Sequence, residues 1–217
     1  MKVWVTRDEL PDGPLSTALR AVDLAVLHEP VLERNILTDA TEQIAALTPD
    51  DWLVLTSVFA IEQVAAEVAR VPRLAVVGDS SRRAAEKRGF RVALVGSGEA
   101  ASLFEELFNS AACTVICYPR SSEAAVPLAP PGIDLVSPVM YQTQARRFTL
   151  SVLKEAEVVA VTSPTAVGAV GACDLPFASI GPKTSAALRQ TGIAPWIEAP
   201  QRSFKSLAAA IASRGLT

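Results

Sequence analysis

Two dipeptides, Thr56-Ser57 and Thr162-Ser163, each close a short apolar run at a point where a helix could begin. Gly78 followed by Ser81, and Gly181 followed by Lys183-Thr184, close two further runs. A helix start offers unpaired backbone N–H groups and roughly half a positive charge, so it holds an anion without needing Lys or Arg. Hydroxyl side chains add donors at the same place. Arg7 and Arg120 each end another apolar run and would add formal positive charge. This chemistry takes up carboxylates; it does not itself break bonds. The remaining candidate acid is Tyr141, whose phenol is a weak proton donor suited to assisting a good leaving group. Each residue also has a plainer reading. Ser and Thr after a strand are common helix caps, and a boundary Tyr often only keeps its hydroxyl in water. Recurrence of the same types in both halves favours a ligand, although duplication would copy plain caps too.

Several chemistries find no support. The one histidine, His28, precedes a proline near the end of a strand-like run and has no visible partner. Cys113 and Cys117 share one apolar run, Cys173 lies far away, and no metal-ligand spacing joins them. Gly-x-Ser-x-Gly, HExxH, Walker and dinucleotide fingerprints are absent; Val95-Gly-Ser-Gly98 is too short to be one. The expectation is therefore no cofactor and no metal. A net charge of −3 argues against nucleic acid as a partner. The start, Met1 to Arg7, enters a strand at once and lacks the apolar stretch of a signal peptide. No apolar run reaches the length of a membrane helix. A cytoplasmic protein that does not bind membranes is expected.

The elements that must position these residues come twice. Trp52-Leu-Val-Leu-Thr-Ser57 corresponds to Val158-Val-Ala-Val-Thr-Ser163. Ser57 is placed to cap a helix carrying Ile61, Val64, Ala65 and Val68 on one face. Ser163 is placed to cap another, with Pro164 at its first position. Leu74 to Gly78 corresponds to Phe177 to Gly181, and each Gly opens a helix that closes at Gly89 or Gly192, both suited to a left-handed cap. Ser102-Leu103 matches Ser206-Leu207, Val3 to Arg7 matches Val115 to Arg120, and Pro30-Val31 matches Pro138-Val139. Residues 1–110 and 112–217 thus read as two copies of a unit with roughly four strands alternating with helices. The runs at 52–55, 74–77, 113–117 and 158–161 are almost continuously apolar, as strands covered on both faces should be. Alternation of strand and helix predicts a parallel sheet between helical layers, hence two α/β domains of flavodoxin-like or related type. Pro127 to Pro131 is expected to cut a helix short and open a loop.

These residues resemble the uroporphyrinogen-III synthase family over essentially the whole chain. The resemblance rests on the Val-Thr-Arg7 start, Leu-Thr-Ser57 and its helix, and Val-Val-Gly78-x-x-Ser81. It continues through Tyr141-Gln-Thr143, Val-Thr-Ser163-Pro-Thr-Ala-Val167 and Ile-Gly181-Pro-x-Thr184-x-x-x-Leu188-x-x-x-Gly192. The order and spacing of these fragments carry it. Val58-Phe59 departs from the family's usual pair after the first Thr-Ser, and Arg120-Ser-Ser lacks the Gly and acidic residue often found there.

The resemblance implies a chain that starts in one domain, builds the second, and returns to finish the first. Domain 1 would be residues 1–31 plus 142–217 and domain 2 residues 32–141. Two antiparallel linker strands would lie near 30–34 and 138–143, with six helix starts lining a shared cleft. It implies a monomeric, cofactor-free lyase of haem biosynthesis. The reaction takes hydroxymethylbilane, a linear tetrapyrrole with eight carboxylates, removes its terminal hydroxyl as water, inverts ring D through a spiro intermediate and closes the ring. Tyr141 would help the hydroxyl leave. Arg7, Thr56, Ser57, Ser81, Arg120, Ser163, Lys183 and Thr184 would bind the substrate. Two other readings stay open: a non-catalytic relative acting as a ligand-binding or regulatory module, and a clamp for another small anion.

Overall fold

The computed structural model describes residues 1–38, 40–64, 72–110 and 114–214. The chain divides into two compact units, Met1–Glu33 with Gln144–Thr217, and Arg34–Thr143.

Unit 1 is built on a five-stranded sheet of β1 (Lys2–Val5), β2 (Ala25–His28), β11 (Val158–Val161), β12 (Phe177–Ser179) and β13 (Ile197–Glu198). The spatial order is β2-β1-β11-β12-β13, and every neighbouring pair is parallel. Its helices are α1 (Pro14–Arg20), α6 (Leu150–Glu155), α7 (Pro164–Val170), α8 (Pro182–Gln190) and α9 (Phe204–Arg214). The apolar runs explain the layering. In β1, Val3 and Val5 join one core with Leu15, Leu19, Leu207 and Ile211, while Trp4 points into the opposite core. In β11, Val158 and Ala160 face the first core, Val159 and Val161 the second. Alternating side chains on a strand with both faces covered require apolar residues at every position, which is why these runs show no period of two.

Unit 2 repeats the plan with β4 (Trp52–Leu55), β5 (Arg73–Val76), β6 (Val92–Val95), β7 (Val115–Cys117) and β9 (Asp134–Val136). Its order is β9-β7-β4-β5-β6, again parallel throughout. Leu53, Leu55, Leu74, Val76 and Cys117 face one core; Trp52, Val54, Ala75 and Ile116 face the other. The helices are α2 (Thr41–Ala45), α3 (Val58–Gln63), α4 (Asp79–Lys87) and α5 (Ala100–Phe108). A three-stranded sheet of β3 (Leu32–Ile36), β10 (Val139–Ala145) and β8 (Arg120–Ser121) completes the set; β3 and β10 contain the points where the chain passes between the units. Written in matching order, both five-stranded sheets read 2-1-3-4-5.

Two expectations change. Each sheet has five strands, not four, because β13 is two residues long and β6 alternates between half-buried and exposed positions, so neither is a strong apolar run. The stretch before Pro127 is not a helix that proline truncates: residues 122–133 contain no helix among them. Prolines 127, 130 and 131 remove the N–H groups a helix there would need. Ala65, Val68 and Cys113 lie outside the described residues. The helix-closing glycines behave as expected: Gly89 (φ +83°) and Gly192 (φ +80°) take the left-handed conformation just past α4 and α8.

Candidate active site

The C-terminal ends of parallel strands are where an open α/β sheet presents ligand-binding loops, most of all where the strand order reverses. In unit 2 that point lies between β7 and β4. Tyr118 follows β7, Thr56 and Ser57 follow β4, and the Thr56 and Tyr118 hydroxyls are 3.4 Å apart. Thr56 and Tyr118 stand in the wall of a cavity of about 530 Å³ lined also by Val77, Gly98, Ala101 and Phe104.

Ser57 has two tasks. It caps α3, its Oγ accepting the Ala60 N–H at 3.0 Å. The same oxygen lies 2.9 Å from the Tyr141 hydroxyl. Tyr141 comes from β10 and is 7% exposed. Phe59, the departure noted in the sequence, packs edge-on against its ring with centroids 4.7 Å apart. The guanidinium of Arg34 covers the Phe59 ring at 5.2 Å. The result is a phenol with a fixed ring and one hydroxyl partner. A serine oxygen already accepting from an amide keeps its own hydrogen to offer. It can therefore donate to the phenol oxygen while the phenol hydrogen goes elsewhere.

In unit 1 the reversal point lies between β1 and β11. Thr6 is fully buried and its hydroxyl donates to the Ala160 carbonyl at 2.8 Å, so it serves the sheet. Arg7 pairs with Glu9 at 3.4 Å and stacks on Phe204, with 5.1 Å from guanidinium to ring centroid. The Glu9 carboxylate in turn accepts from Leu15 N, Ser16 N and Ser16 Oγ at 2.8–3.2 Å. The start of α1 is therefore filled by the chain's own anion. Ser163 caps α7, accepting from Ala166 N at 3.2 Å. Thr162, Ser163, Gly181, Lys183 and Thr184 share the wall of a cavity of about 330 Å³, joined by Arg202.

The predicted residues thus gather in two groups: Thr56, Ser57 and Tyr141 in unit 2, and Ser163, Lys183 and Thr184 in unit 1. Ser81 sits in the first turn of α4, buried, away from both cavities. Arg120 is engaged with its own loop, donating to Ser137 Oγ at 2.9 Å and to the Ser121 and Ala124 carbonyls at 3.0 and 3.2 Å. Beside it the Ser122 hydroxyl, 2.6 Å from the Glu123 carboxylate, holds that carboxyl below the usual range. Burial pushes the Cys117 thiol up to about 12, which leaves it protonated and inert at neutral pH. His28 Nε2 is enclosed without a hydrogen-bond partner among the described residues. No group of three His, Cys, Asp or Glu side chains among the described residues could hold a metal ion. No helix among them is long and apolar enough to cross a membrane.

Tyr118, Arg34 and Arg202 do not stand out in the sequence. Tyr118 carries one usable signal, since it occupies the position after β7 that Thr6 occupies after β1. Arg34 and Arg202 carry no local pattern; only the fold brings them to Phe59 and to the unit 1 cavity.

The uroporphyrinogen-III synthase HemD family model matches residues 13–209. The uroporphyrinogen-III synthetase of Helicobacter pylori 26695 has a similar structure, with 18% identity, 98% of each chain covered and a TM-score of 0.64. A mutant uroporphyrinogen III synthase from the extremely thermophilic bacterium Thermus thermophilus aligns over 100% of this chain and 98% of its own, with 16% identity and a TM-score of 0.57. No curated protein sequence matches the chain. The family match spans nearly the whole chain, and the chain belongs to the uroporphyrinogen-III synthase family.

Proposed function

We propose that the chain acts as a uroporphyrinogen-III synthase, closing hydroxymethylbilane with inversion of ring D and loss of water. The observation that carries the mechanism is the 2.9 Å contact between the Tyr141 and Ser57 hydroxyls. As the carbon–oxygen bond of the terminal hydroxymethyl group breaks, Tyr141 gives its proton to the departing oxygen. The phenolate that forms is met by the Ser57 hydroxyl, whose oxygen is anchored by the Ala60 amide. Arg34, over the Phe59 ring that touches Tyr141, helps hold that ring pair in place. The two outcomes differ in which ring carbon closes the macrocycle, so most of the catalysis is positioning. Carboxylates of the substrate would be taken by Ser163, Lys183 and Thr184 in unit 1. Thr56 lines the unit 2 cavity, and Arg7 and Ser81 support binding from behind the surface. Arg120 acts on the loop it latches.

We further propose that each unit is a flavodoxin-like domain, with residues near 30–34 and 138–143 as antiparallel linker strands. The shared 2-1-3-4-5 order and the adjacency of β3 and β10 in one sheet support this. The enzyme is proposed to work as a monomer, without cofactor, in the cytoplasm. Freshly prepared hydroxymethylbilane tests the function. Accelerated consumption giving mainly the type III ring is expected. Consumption at the spontaneous rate, giving type I, would overturn the proposal.

A further inference from the structure

The two units treat one matching span of chain differently. Between β1 and β2, unit 1 folds α1, whose Leu15 and Leu19 are fully buried. The corresponding span of unit 2, between β7 and β9, folds no helix. Its apolar residues stay outside: Ala125 is exposed, Val126 is 47% exposed and Leu128 96%. Residues 125–129 read Ala-Val-Pro-Leu-Ala, five apolar residues in succession on the surface. Surface loops are ordinarily polar, and a continuous apolar stretch in water marks a place where something else is meant to cover it.

Both ends of this stretch are tied down. Arg120 donates to the Ser121 and Ala124 carbonyls at 3.0 and 3.2 Å, and Ser122 N donates to the Tyr141 carbonyl at 2.9 Å. At the far end the Ile133 N–H donates to the Pro130 carbonyl at 3.2 Å, and Gly132 takes the left-handed conformation (φ +93°). Between these anchors no hydrogen bond holds residues 125–129 among the described residues. Prolines 127, 130 and 131 fix their own φ angles, so little chain entropy is lost when the stretch settles against a ligand. The same stretch borders the 530 Å³ cavity: Ala124, Ala125 and Pro127 line it together with Ala101 and Phe104 of α5. Leu128 follows the last of these loop residues and points its apolar surface at solvent.

We infer that residues 125–129 are an apolar strap, with Leu128 as its covering side chain, that settles over a pyrrole ring lodged in the unit 2 cavity. The inference rests on the tetrapyrrole reading of the site. Leu128 is a positioning residue: it covers the ring and takes no part in the proton transfer from Tyr141.

The test uses the full chain and tetramethylpyrrole, a ring with no carboxylate, followed by amide chemical shifts. The amides of Ala101, Phe104, Val126, Leu128 and Ala129 should shift together. Leu128→Ser should weaken binding about tenfold, as expected when a leucine no longer buries its side chain. Leu128→Met, which keeps an apolar side chain of similar length, should restore most of the affinity. For the bilane, Leu128→Ser should raise KM by a similar factor, with kcat and the type III fraction at saturation retained. Its urea midpoint should equal that of the wild type, because the side chain is exposed in the free protein. Unchanged pyrrole affinity in Leu128→Ser, or shifts that stop short of residues 126–129, would overturn the inference. So would sedimentation showing self-association that Leu128→Ser abolishes, since the leucine would then cover a second copy of the chain. Type I product from the wild type would overturn the synthase reading instead, and the tetramethylpyrrole titration would still decide the strap.

Discussion

Replacing Tyr141 by Phe separates catalysis from stability, because the structure fixes how little else changes. The ring keeps its place: Phe59 still meets it edge-on at 4.7 Å and the surrounding core loses no volume. Ser57 keeps the Ala60 amide at 3.0 Å, so α3 keeps its cap. What goes is one neutral hydroxyl contact of 2.9 Å, worth about 0.5–1.5 kcal/mol net. For a chain of this size that corresponds to a fall in Tm of roughly 1–6 °C. The effect on turnover should be far larger. Loss of a positioned general acid costs about a hundredfold to ten-thousandfold, or about 3–5 kcal/mol of barrier. The assay is enzymatic formation of the type III ring from fresh bilane, with spontaneous type I closure as an internal clock. The Tyr141→Phe protein should unfold nearly as the wild type does while its product shifts strongly towards type I. Wild-type turnover of that variant would refute Tyr141 as the proton donor. A loss of stability above about 3 kcal/mol would refute the packing argument, since it exceeds the value of one such bond.

Ser57→Ala removes both the cap and the partner of Tyr141; it should cost about 1–2 kcal/mol in urea unfolding and lower turnover. In combination with Tyr141→Phe it should lower turnover little further, and additive losses would show that the two do not work as a pair. Ser163→Ala should cost about 1 kcal/mol of stability through the α7 cap alone, read by the same unfolding curve. Arg120→Gln should leave the isomer ratio unchanged and speed proteolytic cleavage within residues 121–137, because it removes the bonds to Ser137, Ser121 and Ala124; a change in isomer ratio would return Arg120 to substrate binding. Mass-mapped alkylation of the folded protein near pH 8 should leave Cys117 unmodified, because its thiol pushed up to about 12 supplies almost no thiolate.

The strands at 52–55 and 158–161, the helices opened by Gly78 and Gly181, and the glycines that close them are legible because each combines an unbroken apolar run with a definite stop. β6 and β13 are not, since one is half exposed and the other has two residues. The loop after Arg120 reads as a truncated helix because the prolines at 127, 130 and 131 look like a helix stop, whereas no helix runs into them. The hydroxyls of the site are legible as strand-end Thr and Ser. Their allegiances are not: Thr6 bonds a neighbouring strand, and Glu9 fills the α1 terminus from a loop. Sequence spacing records which residues follow a strand, whereas long-range contacts decide which of them remain available. The two halves also look equally suited to anions when read as types; only side-chain pairing separates the unneutralised Lys183 and Arg202 from the neutralised Arg82.

The central claim is that this chain directs ring closure against a spontaneous competitor. The direct measurement is the isomer ratio as increasing amounts of protein compete for a fixed pulse of hydroxymethylbilane. Type III should rise with protein concentration until it accounts for nearly all product. A ratio that stays at the type I value at every concentration would contradict the account.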